Sequence, residues 1–373
     1  MEVNYGKRAP FTLGVEEELQ LVDETSFDLT SRYAEVFGEA AQHDERIKEE
    51  LLQSTVEVAT EPCATVAEAI AEADELRRRA QAYADEHGVR VLSAGTHPFA
   101  RYEHQEVTDK PRYVELLDEL QWAVERQLIF GLHVHVGLES AEQAIHVANA
   151  LRTWLPELLA LSANSPFWHG RDSGLSSTRS KVFDTMPRSG LPPRFGSFDE
   201  FERLVDRGVR TNSFEDYTFI WWDLRPHPRL GTIEVRICDA QTRLETVAVL
   251  VALVQALAAT LAERYDREGP LPCEPITLIA ENKWRAVRHG LDAELVDFTR
   301  DEERPAAAAL RALAEIASPA AERLGCAEEL GLLEAVLARG DGASEQRAVA
   351  EEAGGNLLAL VKWLSERTLI PGR

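Results

Sequence analysis

The sequence has few cysteines and no apolar leader. Its four cysteines, Cys63, Cys238, Cys273 and Cys326, are far apart along 373 residues and form no Cys-x-x-Cys pair. This spacing argues against a disulfide framework and predicts reduced, mostly buried thiols. The stretch Met1 to Pro10 contains no apolar segment typical of a signal peptide. Together these features predict a cytoplasmic protein.

Positive charge and long apolar runs are also scarce. The net charge is −24 and no basic block offsets it, which argues against nonspecific binding to nucleic acid. Only Val247 to Leu261 resembles a membrane segment, but this run contains Gln255 and Thr260 and is shorter than the roughly 20 residues a span requires. We therefore predict a core helix, with neither a membrane nor a nucleic acid as partner.

Two common phosphate-binding motifs are missing as well. The sequence contains no Gly-x-x-x-x-Gly-Lys-Ser/Thr loop and no dinucleotide fingerprint. A protein this acidic that binds anionic phosphates without such loops has to supply positive charge locally, through metal ions and arginine side chains.

Three strand-like runs each carry two ionisable side chains two residues apart among apolar neighbours. They are Leu13 to Leu19, Gly131 to Gly137 and Gly231 to Ile237. Successive side chains of a strand point to opposite faces. The members of each pair therefore share a face, and the pairs are Glu16 with Glu18, His133 with His135, and Glu234 with Arg236. The three runs predict one sheet with a functional face.

Carboxylates that gather on one sheet face repel one another unless a cation lies between them. Their joint presence therefore predicts a divalent metal, and oxygen-rich coordination favours Mg²⁺ or Mn²⁺. Glu57, within Thr55 to Ala59, has the same polar placement among apolar neighbours and is a further candidate ligand. Glu50, seven residues earlier, is a less well supported candidate.

Each of these pairs also has a structural explanation. Glu16 and Glu18 are compatible with an exposed edge strand. His133 and His135 are compatible with satisfied core histidines or with a His-x-His zinc pair, although no second histidine cluster of suitable spacing accompanies them. Arg225 and the Glu234–Arg236 pair are compatible with structural salt bridges.

Strand and helix patterns indicate an α+β fold with a curved, mainly antiparallel sheet flanked by helices. The predicted strands are Phe11 to Val22, Thr55 to Glu61, Val89 to Ala94, Leu128 to Leu138, Phe219 to Leu224 and Thr232 to Cys238. The predicted helices are Thr65 to His87, Ala141 to Ala163, Leu244 to Tyr265, Pro305 to Leu324, Ala327 to Ala338 and Ser344 to Arg367.

The segment Trp168 to Gly196 shows no clear period and is long for a connector, which is typical of an active-site loop. No internal repeat or low-complexity linker divides the chain. We therefore predict a single domain over residues 1–373, with a motif-bearing core at about 11–290 and a helical C-terminal part at about 303–373.

Six ordered segments resemble the type 2 glutamate–cysteine ligases, also called carboxylate–amine ligases. They are Gly14 to Leu19, Glu57 to Thr60, Gly95 to Pro98, Gly131 to Gly137, Ala163 to Pro166, and Trp222 to Pro226 leading into Gly231 to Arg236. The resemblance covers about Phe11 to Gly290. It implies a fold similar to the catalytic domain of glutamine synthetase, whose sheet cups ATP and divalent metal ions.

The resemblance also implies roles for individual residues. The implied metal ligands are Glu16, Glu18, Glu57, His133 or His135, and Glu234. Arg236 and Arg225 are implied catalytic residues that contact the nucleotide phosphates or an acyl phosphate, and Lys283 and Arg285 are implied phosphate or substrate contacts. Within the Trp168 to Gly196 segment, Arg171, Ser176 and Arg179 are candidates for an amino-acid carboxylate.

The implied reaction joins the γ-carboxylate of glutamate to the amine of cysteine at the expense of ATP. Phosphorylation turns a carboxylate oxygen into a good leaving group, and the amine then attacks γ-glutamyl phosphate. Some members of the family act only weakly on cysteine, so the amine acceptor stays open. A homodimer is a further expectation from the resemblance.

Two other functions remain as alternatives. A zinc amidohydrolase built on His133 and His135 predicts zinc that is retained through purification and no need for ATP. A noncatalytic amino-acid or nucleotide sensor on the same fold predicts binding without turnover. Intact Glu16, Glu57 and Arg236 argue against the sensor, because binding alone does not require the whole charged cluster.

Overall fold

A seven-stranded antiparallel sheet forms the centre of the computed structural model, which describes residues Met1 to Ile370. Its strands are β1 (Leu13–Asp23), β2 (Ile47–Glu49), β3 (Thr55–Ala59), β4 (Val89–Leu92), β5 (Gly131–Gly137), β10 (Leu224–His227) and β11 (Thr232–Asp239). Their order is β10-β11-β5-β1-β3-β2, and β4 extends β1. All of these pairs are antiparallel. The predicted α+β class and antiparallel sheet are confirmed.

Six short strands lie outside this sheet. They form three two-stranded pairs: β6 (Phe167–Trp168) with β7 (Arg171–Asp172), β8 (Ser189–Gly190) with β9 (Trp221–Trp222), and β12 (Glu294–Asp297) with β13 (Glu302–Pro305). Only the β8–β9 pair is parallel. The predicted active-site loop Trp168 to Gly196 therefore contains short strands and one helix rather than irregular chain alone.

Fifteen α-helices surround the sheet over the described residues. They are α1 (Tyr33–Phe37), α2 (Val66–Asp85), α3 (Pro111–Leu120), α4 (Trp122–Glu125), α5 (Ala141–Leu151), α6 (Leu155–Ser162), α7 (Thr178–Phe183), α8 (Phe198–Arg210), α9 (Leu244–Glu268), α10 (Ile276–His289), α11 (Ala306–Leu324), α12 (Ala327–Gly331), α13 (Leu333–Arg339), α14 (Gly342–Glu352) and α15 (Leu357–Thr368).

One face of the sheet packs against helices, and its side chains explain why. Val15, Val134 and Val235 alternate with the charged residues of their strands and are fully or almost fully buried. They join a hydrophobic cluster with α9, whose apolar residues continue along its whole length. The 18-residue apolar window of α9 passes a length and composition test for a membrane span, but 89% of it is buried inside the protein. It is the core helix that the sequence predicted.

The helical C-terminal region adds to the same cluster. Buried residues of α11, including Leu310 and Ala317, pack with those of α9. The predicted helix Ser344 to Arg367 is two helices, α14 and α15, because Gly354 and Gly355 both adopt positive φ angles between them. Residues 371–373 of the predicted region lie outside the described residues. The single-domain interpretation stays a prediction.

Two segments differ from their predictions for local reasons. Phe219 to Leu224 is interrupted: a 3₁₀ turn ends at Phe219, and β9 and β10 are separate strands. Within β11 the register to β5 shifts between Val235 and Cys238, which marks a β-bulge. The bulge lets the consecutive residues Ile237 and Cys238 both pack into the core. Strict alternation therefore ends just after Arg236.

An ion pair is buried on the helix-packed side of the sheet. Glu17 and Arg77 are each 1% exposed, and the Arg77 Nε donates to Glu17 Oε2 at 2.8 Å. The same guanidinium donates to the carbonyls of Gln241 at 2.6 Å, and of Thr242 and Thr368 at 3.1 Å. Arg77 thus joins β1, the chain after β11 and the end of α15. Glu17 is the charged residue of β1 on the face opposite Glu16 and Glu18, and Arg77 neutralises its charge.

Replacing Arg77 by alanine is expected to lower the free energy of unfolding by about 3–5 kcal/mol, because it leaves Glu17 buried without a counter-charge. The neighbouring variant Arg78→Ala is the matched control. It removes an exposed pair with Asp74 on the same helix and is expected to cost less than about 0.5 kcal/mol. Urea unfolding followed by circular dichroism compares the two. Equal losses of the free energy of unfolding in the two variants would show that Arg77 stabilises the fold no more than an exposed arginine does.

Candidate active site

The open face of the sheet collects the charged side chains of five strands. In the strand register Glu16 lies opposite His133, Glu18 opposite Glu57, and Glu234 opposite both His135 and Arg225. Antiparallel pairing brings opposite residues within about 4.5–5.5 Å at Cβ. Residues separated by up to 218 positions in the sequence, Glu16 and Glu234, therefore reach one cluster. The three sequence pairs do share one face.

The closest group in this cluster is Glu16, His133 and Glu234. One potential ligand atom from each lies within 4.8 Å of the others. Glu16 Oε2 is 3.2 Å from His133 Nδ1, and Glu16 Oε1 is 3.6 Å from His135 Nε2. The second histidine is also 3.9 Å from Glu234 Oε1. This is a mixed oxygen and imidazole set of the kind that binds divalent cations.

Both histidines have a ring nitrogen without a partner. His133 Nε2 and His135 Nε2 are buried and make no hydrogen bond, while His135 Nδ1 is 3.0 Å from Thr232 Oγ1. Buried polar atoms are rarely left unsatisfied unless a ligand, ion or water completes them. The cluster therefore fits a bound divalent metal, with Glu16, Glu234 and the two imidazoles as available ligands.

Burial and neighbouring charges shift the pKa values of these groups in different directions. Burial alone would raise the pKa of Glu16, but His135 and His133 outweigh it and hold that pKa well below its ordinary value. Burial and the nearby Arg236 lower the pKa of His133. Burial opposes but does not cancel the effect of Glu234 and Glu16, which raise the pKa of His135. Glu16 is thus held ionised.

Glu234 is also the anchor for two arginines. Its Oε2 accepts from Arg225 Nε at 2.9 Å, and its Oε1 accepts from Arg236. Burial would raise the pKa of Glu234, but these two guanidinium groups hold it well below its ordinary value. Arg225 is further fixed by the carbonyls of Thr218 and Ile220, both at 3.0 Å. Arg236 keeps a buried Nε without a partner and faces the cluster.

A second acidic group lies beside the first. Glu57 pairs with Lys48 at 3.0 Å, and burial followed by the charge of Glu16 raises the pKa of Glu57 well above its ordinary value. Glu50 belongs to the same group: burial and then the charge of Glu18 raise its pKa to about 7. Glu50 was a less well supported candidate from the sequence, and Lys48 was not predicted. The strand β2 that carries Lys48 is only three residues long, and this length gives no detectable period.

A main cleft of about 330 Å³ opens over the cluster. Its charged and imidazole lining consists of Glu16, Glu18, Glu50, Glu57, Glu234, Arg112, Arg179, Arg225, Arg236, His133, His135 and His227. Its apolar lining consists of Leu51, Leu116, Val124, Ile129, Phe183, Met186 and Trp221. Helices α3 and α4, which the sequence analysis did not predict, supply part of this wall.

Arg179 is the charged residue of the Trp168 to Gly196 segment that lines the main cleft. It is 4% exposed, its Nη atoms donate to the carbonyls of Arg236 and Ile237, and its Nε is buried without a partner. Gly131 makes room for it, because a Cβ there would clash with the Arg179 guanidinium and lie 3.0 Å from His133 Nε2. Arg179 therefore lies directly beside the predicted metal ligands.

A second cleft of about 560 Å³ lies at the opposite end of the same cluster. Glu16 and His135 line both clefts. Lys7, Arg8 and Arg229 surround the second cleft and form no salt bridge within residues 1–370. The cluster thus lies where two openings meet, and one of them carries three basic side chains without salt-bridge partners among the described residues, together with Glu45 and Glu61.

Four of the predicted residues are elsewhere. Lys283 donates to Asp223 at 2.8 Å and to Asp184 at 3.3 Å, so its charge is already satisfied beneath β10. Arg285 pairs on the surface with Glu281 and Glu303. These positions argue against phosphate contacts, since neither residue lines the main or the second cleft.

Arg171 and Ser176 do not reach the cleft either. Arg171 is exposed on the short β6–β7 hairpin, and the backbone of Ser176 pairs with Val287. The Trp168 to Gly196 segment folds back on α10 before it turns toward the sheet at α7. Within this segment Arg179, Phe183 and Met186 line the main cleft, and Arg179 is the charged residue among them.

The sequence model of the glutamate-cysteine ligase family 2 matches residues 12–362. The chain belongs to this family. A Rubrobacter xylanophilus protein assigned as glutamate–cysteine ligase 2-3 is 46% identical over 371 residues, which are 99% of this chain and 100% of that protein. A Sorangium cellulosum protein assigned as glutamate–cysteine ligase 2 is 43% identical and covers 91% of each chain.

Solved structures share the fold. The Francisella tularensis glutamate–cysteine ligase in complex with AMP has a TM-score of 0.70 at 12% identity, over 97% of this chain and 90% of that one. A bifunctional glutathione synthetase from Pasteurella multocida has a TM-score of 0.69 at 15% identity, over 96% of this chain and 53% of that one. The fold expected from the resemblance is confirmed.

Family membership makes the protein an enzyme, a carboxylate–amine ligase of the glutamate–cysteine ligase type. Nothing in the family or in the structural neighbours supports the zinc amidohydrolase or the sensor. The histidine pair that suggested zinc lies among carboxylates on the sheet face, where Glu16 is its nearest ionised neighbour.

Replacing Glu16 by glutamine is expected to weaken Mn²⁺ binding by roughly tenfold or more, because it removes one ligand charge from the centre of the cluster. Titration of Mn²⁺ followed by electron paramagnetic resonance measures this directly and needs no turnover. Glu24→Gln, one residue beyond β1 on the exposed surface, is the control and should bind like the unaltered protein. Equal affinity in both variants would remove Glu16 from the metal site.

Proposed function

We propose that this ligase joins the γ-carboxylate of glutamate to an amine by way of γ-glutamyl phosphate, with ATP as the phosphoryl donor. One observation carries the proposal: Glu16 and His135, at the centre of the charged cluster, line both clefts. Two substrates that enter from opposite sides would therefore meet at the cluster. The AMP complex of the Francisella enzyme supports an adenine nucleotide as one of them.

The second cleft suits the nucleotide. Lys7, Arg8 and Arg229 offer three positive charges without carboxylate partners, which matches the charge of a triphosphate. They also replace the missing phosphate-binding loop. Arg236 would extend this positive surface at the cluster itself, where its unpartnered Nε is available to an oxygen of the transferring phosphoryl group.

The main cleft suits the amino acid. Arg179 and Arg112 lie on its lining, and the buried, unpartnered Nε of Arg179 is available to a carboxylate. Binding glutamate here would direct its γ-carboxylate toward the cluster. Arg225 is held by Glu234 and two carbonyls, so its role would be to fix Glu234 and the local charge.

The residues fit one or more divalent ions. Glu16, Glu18, Glu57, Glu234, His133 and His135 would hold them, and Mg²⁺ or Mn²⁺ would offset the repulsion between phosphate and carboxylate. The protein's own contribution is to keep these carboxylates ionised, which it does for Glu16 and Glu234 through neighbouring imidazole and guanidinium groups.

The chemical sequence has two steps. A γ-carboxylate oxygen attacks the γ-phosphorus of ATP, the bond to the bridging oxygen breaks, and ADP leaves. The uncharged amine then attacks the acyl carbon, phosphate leaves with the original carboxylate oxygen, and the amine loses a proton. Cysteine is the amine that the family name implies.

Phosphate release from ATP, Mg²⁺ and glutamate tests the reaction, with cysteine compared with a panel of other amines and the product identified by mass. Glutamate labelled with ¹⁸O in its γ-carboxylate should transfer one ¹⁸O to each phosphate released, because the acyl phosphate breaks at the acyl carbon. Cysteine-dependent release would identify the acceptor. Release without ¹⁸O transfer would contradict an acyl-phosphate intermediate.

Paired substitutions test which cleft binds which substrate. Arg8→Glu combined with Arg229→Glu should raise the KM for ATP roughly tenfold, because two exposed charge contacts become repulsive. The KM for glutamate should change little. Arg179→Gln should show the opposite pattern. Lys362→Glu, an exposed charge reversal on α15, controls for net charge, and the reverse assignment of the clefts would interchange the two KM effects.

A further inference from the structure

A third cleft lies away from the cluster and contains two unsatisfied charged side chains. It has a volume of about 270 Å³ and is bounded by α6, the β12–β13 hairpin and α11. We call it the hairpin cleft and define it by Trp154, Glu157, Leu295, Asp297, Arg304 and Leu313. No residue of its lining belongs to the lining of the main cleft or the second cleft.

Glu157 projects from the first turn of α6 and lacks a partner where one is expected. The residue is 9% exposed, and its Oε2 is buried without a hydrogen bond. Burial raises the pKa of this carboxyl to about 7, although Arg304 opposes the rise. An isolated carboxyl at such a position costs free energy unless a donor completes it. Glu157 Oε2 therefore lacks a hydrogen-bond donor, and a charged donor would satisfy it best.

Arg304 lacks the opposite kind of partner, a hydrogen-bond acceptor for its Nε. Its Nη1 is 3.5 Å from Asp297 Oδ2, beyond a good hydrogen bond, and its Nε is buried without a partner. The guanidinium therefore lacks a hydrogen-bond acceptor. A cation alone would satisfy Glu157 but leave the Arg304 Nε unpaired, and an anion alone would do the reverse.

Much of the remaining lining is apolar. Leu295 and Leu313 are 1% and 3% exposed, and Trp154 and Ile316 also belong to it, while Thr153, Glu274 and Thr299 add polar groups. The volume is below the roughly 300–1,000 Å³ of sites for drug-sized ligands, which suits a smaller metabolite. Fixed polar groups among apolar walls are the usual composition of a small-molecule site.

We propose that the hairpin cleft binds a free α-amino acid with an aliphatic side chain. Its ammonium group pairs with Glu157, its carboxylate with Arg304, and its side chain packs against Leu295 and Leu313. A zwitterion satisfies both deficits at once and adds no net charge. This binding does not depend on which amine the ligase reaction uses.

Isothermal titration calorimetry on the full-length protein without nucleotide tests this, with L-leucine as the probe. Two analogues each lack one charge: 3-methylbutylamine has no carboxylate and 4-methylpentanoate has no ammonium group. Each is expected to bind roughly tenfold more weakly or worse, because each loses a charged hydrogen bond. L-Glutamate, whose side chain carries an additional negative charge, is expected to bind this cleft more weakly than leucine.

Variants assign the binding to the cleft. Glu157→Gln and Arg304→Gln should each weaken leucine binding roughly tenfold or more, whereas Arg179→Gln, in the main cleft, should leave it unchanged. Ala312→Leu fills the hairpin cleft from a half-exposed helix position and should abolish binding without disturbing the core. Circular dichroism confirms that each variant is folded.

Three outcomes would overturn the proposal. They are the absence of saturable leucine binding at millimolar concentration, binding that survives both Glu157→Gln and Ala312→Leu, and binding that is lost in Arg179→Gln alone. The last outcome would place the amino acid in the main cleft. None of these results bears on the ligase reaction, which the phosphate-release experiment tests separately.

Discussion

The mutual repulsion of five carboxylates is the constraint on which this structure depends. Glu16, Glu18, Glu50, Glu57 and Glu234 all line one cleft, and like charges this close cannot all remain ionised without compensation. The protein compensates unevenly. Arg225, Arg236 and the two histidines keep Glu16 and Glu234 ionised, while the pKa values of Glu50 and Glu57 are raised. Glu16 and Glu234 are thus ready for a cation, and Lys48 forms an ion pair with Glu57.

Burial of the opposite, apolar face of the sheet offsets the free energy that this concentration of charge costs. Alternating valines and leucines bury the strands against α9 and fix their register, since a slip of one residue would turn every charged side chain into the core. Glu17 is the exception to this alternation, and Arg77 binds it together with carbonyls from two distant segments. Glu17 thus lies on the helix-packed face, and through Arg77 it connects β1 with the end of α15.

The sequence predicted the sheet and most of the charged cluster because both depend on a period of two residues. Three runs with that period identified Glu16, Glu18, His133, His135, Glu234 and Arg236, which share one face in the structure. Prediction was less successful where tertiary contacts, rather than the spacing of residues, determine the position of a side chain. Lys283 and Arg285 lie within the part of the chain that the resemblance covers, yet nearby carboxylates bind both. Helices α3, α4 and α8 were not predicted either.

The sequence by itself therefore determined the faces of the strands, the acidic character of the site and the family, because each is encoded by neighbouring residues. Only the tertiary structure decided which distant groups meet. It brought Glu50, Lys48 and Arg179 to the cluster, placed the cluster between two clefts, and left Glu157 Oε2 and Arg304 Nε without hydrogen bonds in a third. These outcomes follow from strand order, a β-bulge and helix packing, which bring together residues that no local pattern relates.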